Sequence, residues 1–129
     1  GFGITYVLPI LIAILSAQKD SIILIENPEA HIHPKGQAIL MELLAKAVAN
    51  GIQIILESHS DHIINGSLVA VNNGLITPDL LSIYYFNREE HNHVAVSHPL
   101  EVSKNGHIKR PPKGFFDQID IDLKTLTGF

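Results

Sequence analysis

The chain has 129 residues, 46% of them hydrophobic and 17% charged, which excludes an intrinsically disordered protein and fits about one domain with its own core. The net charge of −4 argues against a nucleic-acid clamp, and the lack of cysteine excludes disulfides and is typical of a cytoplasmic protein. The longest apolar run, from Val7 to Ala17, is shorter than the ~20 residues of a membrane span and follows no basic segment, so neither a membrane span nor a signal peptide is predicted.

The first predicted elements are a loop, a helix and a strand. Gly1-Phe2-Gly3-Ile4-Thr5 is expected to form a glycine-bearing loop, in which Thr5 caps the helix that follows. That helix is predicted from about Leu8 to Gln18, with Pro9 in its first turn, where a missing N–H costs nothing. An apolar run from Ser21 to Glu26 predicts a buried strand.

The next segment repeats the pattern of helix and strand. Pro34 is expected to open a second helix that extends to about Ala49, because its apolar residues recur at helical spacing. A second strand is predicted from Ile52 to Leu56. Ser60 or Asp61 then caps a third helix that extends to about Val71.

The C-terminal part predicts a β-hairpin followed by a tail. Leu81 to Asn87 and Val94 to Val96 are expected to form the hairpin, with His91-x-His93 exposed at its tip. Turn-forming and breaking residues dominate beyond Ser97, so we interpret residues 1–97 as an α/β body and residues 98–129 as an appended domain. The element order predicts parallel strands joined by crossover helices, in a sheet whose remaining strands come from elsewhere.

Polar clusters follow both predicted parallel strands. The first strand leads into Glu26-Asn27-Pro28-Glu29-Ala30-His31-Ile32-His33-Pro34, and the second into Glu57-Ser58-His59-Ser60-Asp61-His62. Ligands of open α/β sheets bind beyond the carboxyl ends of the strands, so the two clusters predict one shared site for a metal, a phosphate or both.

In their order and spacing these motifs resemble the C-terminal half of a P-loop ATPase of the ABC/SMC type, nearest to the RecF- and OLD-like bacterial ATPases. Residues 22–34 resemble a Walker B strand that leads into a D-loop, and residues 54–60 resemble the strand that carries the switch histidine. Residues 1–5 resemble the end of the signature loop, and Gly114-Phe115-Phe116-Asp117-Gln118 resembles the tail of that subgroup. The resemblance implies a partial P-loop NTPase sheet.

The resemblance also implies roles in ATP hydrolysis for the first cluster. Glu26 would hold Mg²⁺ through water, as Walker B carboxylates do. Asn27 occupies the position of the glutamate that polarises the attacking water, and an amide orients water but cannot accept its proton. Either Glu29 substitutes as the base, or the protein hydrolyses ATP slowly and uses it as a dimerisation clamp.

The remaining implied contacts concern the nucleotide and a partner subunit. His59 would donate to the γ-phosphate, Ser58 would bind the nucleotide beside it, and Asp61 would either orient His59 or contact the opposite subunit. His31 and His33 would lie in the D-loop along a dimer interface. Gly1, Gly3 and Thr5 would reach the ATP of the opposite subunit. The resemblance thus implies ATP and Mg²⁺ as cofactors and a homodimer that acts on nucleic acid or a partner protein, as in DNA repair or phage defence.

No Gly-x-x-x-x-Gly-Lys-[Ser/Thr] loop occurs in the 129 residues, and Met41, in mid-chain, is the only methionine. We therefore expect a piece of a longer ATPase that is inactive alone and whose exposed strand edge promotes dimerisation.

Two other functions stay open. The pairs His31/His33 and His59/His62 are compatible with a Zn²⁺- or Mn²⁺-dependent hydrolase or nuclease. Asn27 and the missing phosphate loop are compatible with a catalytically inactive interaction module. A basic cluster in the tail either contacts nucleic-acid phosphates or is a solvated loop: Lys104, His107, Lys109, Arg110 and Lys113.

Overall fold

A computed structural model describes residues 2–88, 94–112, 114–116 and 118–128. Within them the chain forms four α-helices, five β-strands and one short 3-10 turn. In chain order these are α1 (Phe2–Ser16), β1 (Ile22–Glu26), α2 (Pro34–Ala49), β2 (Gln53–Glu57), α3 (Asp61–Asn72), the 3-10 turn (Pro78–Leu80), β3 (Ile83–Arg88), β4 (Ala95–Val102), β5 (Ile108–Lys109) and α4 (Gln118–Thr127).

The strands form two small sheets, and the predicted α/β class is confirmed. β1 and β2 pair in parallel, from Ile22 opposite Gln53 to Glu26 opposite Glu57, and α2 connects them. β3, β4 and β5 form an antiparallel sheet in that spatial order. The arrangement is that of a partial NTPase-like sheet followed by a hairpin, as the sequence predicts.

The main core lies between the parallel pair and the helices. Its buried members come from α1, β1, α2, α3 and the residue before β2: Ile14, Ile25, Leu40, Met41, Leu44, Ala47, Ile52 and Ile63. The parallel strands alternate in burial, so that Ile23 and Ile25 face this core whereas Ile22 and Leu24 are exposed. Both strands therefore have one face toward the core and one exposed face, and their carboxyl ends lie at the same edge of the pair.

The start of α1 corrects the predicted N-terminal loop. The helix begins at Phe2, so Gly3 and Thr5 are helical, Thr5 is not a helix cap, and Pro9 lies inside the helix instead of in its first turn. The loss of one helical hydrogen bond at Pro9 is outweighed by apolar packing, since Ile10 and Ile14 contact the main core. Gly1 lies outside the described residues.

Both helices that follow the parallel strands have side-chain caps. Ser60 accepts a hydrogen bond from the amide of His62 at 3.2 Å, as predicted for the start of α3. At α2, Nδ1 of His33 accepts from the amide of Lys35 at 3.3 Å, a cap that the sequence analysis missed. These caps fix the ends of the two loops that hold the candidate site.

The sequence predicted a short hairpin followed by an irregular tail, whereas the structure has a three-stranded antiparallel sheet in this part of the chain. β4 runs without interruption across residue 97, and β5 pairs with it around the predicted turn at Asn105-Gly106. The boundary between residues 97 and 98 stays a prediction, as do the roles of His91, His93 and Lys113, which lie outside the described residues. None of the helices in the described ranges is long and apolar enough to cross a membrane.

Candidate functional site

Two glutamates lie side by side at the carboxyl ends of the parallel strands. Glu26 ends β1 and is in register with Glu57, which ends β2, and both are exposed. Neighbouring strands are about 4.8 Å apart, so the two side chains emerge from adjacent positions on the same edge. The sequence analysis placed Glu57 in the second polar cluster but gave an individual role only to Glu26, although Glu57 also closes an apolar strand.

Asn27 begins a sharp turn directly after β1. Its backbone amide donates a hydrogen bond to the backbone carbonyl of Glu57 at 3.0 Å, which extends the pairing of β1 with β2 by one bond. Its φ of 47° lies in the left-handed region, which asparagine tolerates better than most residues. The turn brings buried Pro28 and then Glu29 across toward the end of β2, where Glu29 contacts Ser58.

Glu29 joins the two polar loops. One carboxylate oxygen accepts from the hydroxyl of Ser58 at 2.8 Å, and the other accepts from the backbone amide of His59 at 2.9 Å. Glu29 and Ser58 are half-buried, which strengthens these charge-assisted bonds relative to bonds in water. The position of the His59 backbone is therefore set by a carboxylate that is 30 residues away in sequence.

Gln37 provides a second link between the loops. Its side chain is only 7% exposed, and its amide nitrogen donates to the carbonyl of Ile32 at 2.9 Å. Its amide oxygen accepts from the hydroxyl of Ser60 at 2.6 Å. Ser60 caps α3, so Gln37 connects the loop before α2 to the first turn of α3.

The N-terminal part of α1 lies against the loop between β1 and α2. The ring of Tyr6 is 4.8 Å from that of His31, between centroids, and His31 has a positive φ of 60°. A Cβ atom at Gly3 would come within 2.9 Å of the carbonyl oxygen of His31, so only glycine fits there. The structure thus brings Gly3 and His31 together but leaves Thr5 exposed on the helix.

The side chains that follow β2 are more accessible. His59 is exposed, and Asp61 is half-buried in the first turn of α3. Oδ1 of Asp61 is 3.8 Å from Nε2 of His62, a neighbour in sequence. The side chain of His59 is therefore accessible from solvent.

An open groove of about 250 Å³ runs along β1 and ends at the acidic edge. Its walls come from α1 and from Ile23, Leu24 and Ile25 of β1, and Glu26 and Asn27 lie at its end. The groove is mainly apolar, with one carboxylate and one amide in its lining.

The donor set fits Mg²⁺ in a nucleotide site. Such a site needs only one or two carboxylates, with phosphate oxygens and water completing the coordination, and Glu26 and Glu57, in register at the strand ends, would supply them. Zinc needs three or four protein ligands, and the described residues include no group of three His, Cys, Asp or Glu side chains that could hold a metal. The predicted histidine pairs are therefore not assembled into a metal centre in that part of the chain.

Two protein-family models match the chain. The first, described as an AAA domain, putative AbiEii toxin of a type IV toxin–antitoxin system, matches residues 1–65 and so includes both polar loops. The second, a family of unknown function designated DUF3696, matches residues 76–126, which include the antiparallel sheet. Searches of the curated proteins and of the solved structures find no match.

Proposed function

Because this chain belongs to the family of AAA domains described as putative AbiEii toxins, we propose that it supplies one side of an ATP-hydrolysing site. The Glu26 strand acts as Walker B, and the loop around His59 senses the γ-phosphate. A phosphate-binding loop, which the 129 residues do not contain, completes the site. This chain alone is expected not to hydrolyse ATP.

The observation that carries the proposal is the double hydrogen bond from Ser58 and His59 to Glu29. It holds the loop after β1 and the loop after β2 in one fixed relation at the edge where α/β sheets bind ligands. A site that stabilises charge on a transferred phosphoryl group needs such fixed donors, because they act without reorganisation.

We assign the roles of the side chains as follows. Glu26, with Glu57 beside it, holds water-coordinated Mg²⁺, which neutralises charge on the phosphates when it is bound. His59 donates a hydrogen bond from its exposed ring to the γ-phosphate. Asn27 orients the attacking water, but its amide does not remove a proton.

Glu29 is a positioning residue in this proposal. Both of its carboxylate oxygens accept hydrogen bonds from the β2–α3 loop, so we assign the carboxylate to holding that loop in place. With an amide at position 27 and Glu29 engaged, hydrolysis is slow. ATP then acts chiefly as a clamp between two copies of the ATPase, and His31 and Gly3 lie at the contact.

The partners of the ATPase are part of the same proposal. We propose a nucleotide-sandwich homodimer that couples ATP binding to nucleic acid or to a partner protein, as in DNA repair, phage defence or a toxin–antitoxin pair. The family description names the toxin–antitoxin context, and the other contexts rest on the resemblance to RecF- and OLD-like ATPases.

The test compares Glu26→Gln with Glu42→Gln. Both variants are made in a longer polypeptide that contains this chain together with the phosphate-binding loop of the ATPase. Glu42 is an exposed glutamate of α2 whose only ion pair in the described residues is a surface contact with Lys46, so it is a matched control. We expect Mg-ATP binding and slow turnover in the parent and in Glu42→Gln. Glu26→Gln should lower turnover at least tenfold.

Two results would contradict the proposal. Failure of the parent polypeptide to bind Mg-ATP would contradict the proposal that this chain forms one side of an ATP site. Equal turnover in Glu26→Gln and Glu42→Gln would show that the carboxylate at the end of β1 does not act on the nucleotide.

A further inference from the structure

Gln37, in the first turn of α2, is a buried polar side chain with both ends of its amide hydrogen-bonded. Nε2 donates to the backbone carbonyl of Ile32 at 2.9 Å, and Oε1 accepts from the hydroxyl of Ser60 at 2.6 Å. A backbone carbonyl can only accept, so it determines which end of the amide faces it. The amide oxygen is therefore directed at Ser60, whose hydroxyl donates its proton to Gln37.

The two serines on either side of His59 are both held by the segment that follows β1. Ser58 donates its hydroxyl proton to Glu29 at 2.8 Å, and Ser60 donates its own to Gln37. Each hydroxyl oxygen also accepts from the backbone amide two residues further on, at 3.1 and 3.2 Å. Because a hydroxyl has one proton to donate, both serines use theirs to fix the loop.

These hydrogen bonds form a closed ring that spans the two loops. Ile32 closes it, because its backbone amide donates to the carbonyl of Glu29 at 3.0 Å while its own carbonyl accepts from Gln37. The hydroxyl of Ser58 and the amide and hydroxyl of Ser60 complete the ring. Removing one member leaves the next group without its partner, so the members are expected to act together.

His59 is joined to this ring by its backbone. Its amide donates to Glu29 at 2.9 Å, whereas its side chain is exposed. The residues before and after it, Ser58 and Ser60, belong to the ring. The freedom that remains to the imidazole is therefore rotation about its own side-chain bonds.

We propose that Gln37 is a positioning residue for His59, and that Ser58 and Ser60 hold the loop after β2 instead of binding the nucleotide. This inference rests on the proposed function, in which His59 donates to the γ-phosphate. A donor stabilises charge on a phosphoryl group best when it is in place before the charge develops. Gln37 provides that order from a buried position, through Ser60.

The first test measures Mg-ATP turnover in the longer polypeptide that contains the phosphate-binding loop. Gln37→Met has a side chain of similar length without an amide, and it should lower kcat about tenfold or more. KM should change by less than about twofold, because the lost interaction acts in the transition state. Ser67→Ala is the matched control, since it removes a buried hydroxyl of α3 that donates to Ile64, outside the ring. All variants are compared at a temperature where circular dichroism shows them to be folded.

Two variants of Ser60 separate its bond to Gln37 from its role as the cap of α3. Ser60→Asp keeps an oxygen that caps the helix, but its carboxylate has no proton for the amide oxygen of Gln37. It should therefore lower kcat as Gln37→Met does. Ser60→Thr keeps the hydroxyl and should recover most of the turnover that Ser60→Asp loses.

The second test needs no nucleotide and measures amide hydrogen exchange by NMR in this chain. In Gln37→Met the backbone amides of His59 and His62 should exchange about tenfold faster or more than in Ser67→Ala, because the loop opens more often without the ring. Faster exchange would support the hold of Gln37 on the loop even if the longer polypeptide does not bind Mg-ATP, a result that refutes the proposed function alone.

Three results would overturn the inference. Unchanged exchange at His59 in Gln37→Met would show that the glutamine does not hold this loop, whether or not ATP is hydrolysed. An unchanged kcat in Gln37→Met, in a parent that depends on Glu26, would show that the position of the loop does not affect turnover. An equal loss of kcat in Ser67→Ala would show that the effect is a general loss of stability.

Discussion

The carboxylate of Glu29 accepts a 2.8 Å hydrogen bond from the hydroxyl of Ser58, across 29 residues of sequence. A second bond, from the amide of His59, occupies the other oxygen. One side chain thereby fixes the distance between the two loops that follow the parallel strands. Any ligand held between Glu26 at the end of β1 and His59 in the loop after β2 depends on this contact.

Glu29→Ala should lower the free energy of unfolding by about 1.5–3 kcal/mol, since it leaves the Ser58 hydroxyl and the His59 amide without their charged acceptor. Glu29→Gln, which keeps an acceptor oxygen, should cost less. Urea unfolding of the chain measures both, and equal stability of Glu29→Ala and the parent would contradict the role of this link.

Gln37→Leu should destabilise the chain by about 2 kcal/mol, because the carbonyl of Ile32 and the hydroxyl of Ser60 lose their buried partner. The control is Gln53→Leu, at an exposed position of β2, where we expect a change within about 0.5 kcal/mol. Similar unfolding midpoints for the two variants would mean that Gln37 does not bridge the loops.

Gly106→Ala should be much more damaging than Gly74→Ala. Both glycines have a positive φ, 69° and 72°. In either place alanine adopts an unfavourable backbone conformation, which lowers the free energy of unfolding by about 1 kcal/mol. A Cβ at Gly106 would lie 2.2 Å from the carbonyl oxygen of Leu68, whereas nothing lies within 4 Å at Gly74. We expect about 2–4 kcal/mol for Gly106→Ala, with the β4–β5 turn displaced from α3. Thermal unfolding of the pair separates steric contact from strain.

Asn27→Gly should leave stability unchanged or raise it slightly, whereas Asn27→Val should lower it by about 1–2 kcal/mol. The reason is the φ of 47°, which a β-branched residue adopts at high cost. Chemical denaturation of the two variants measures this, and an equal effect of both would indicate that the turn after β1 relaxes freely.

Local patterns in the sequence predicted much of the framework. Helical spacing of apolar residues and Pro34 located α2 at its observed bounds, and the capping hydroxyl of Ser60 located the start of α3. Short apolar runs predicted the two parallel strands to within one residue at each end. Each of these signals lies within a few residues of the element that it specifies.

The same local reasoning failed for α1. Gly3 and Pro9 are signals for a loop and a first helical turn, but the helix begins at Phe2, and its added residues Gly3 and Tyr6 lie against His31. Those contacts join segments that are distant in sequence, so no neighbouring residue reveals them.

The sequence by itself determined the element order, the parallel pair and the presence of polar clusters at its carboxyl edge, because hydrophobic period and caps act over short distances. Only the tertiary structure decided which polar groups meet: Glu57 beside Glu26, Glu29 with Ser58, and Gln37 with Ser60. Those contacts join residues that are 23 to 31 positions apart, as the register and the hydrogen bonds give them. The packing of α2 against α3 and the register of β1 with β2 set their distances, and no local pattern encodes either.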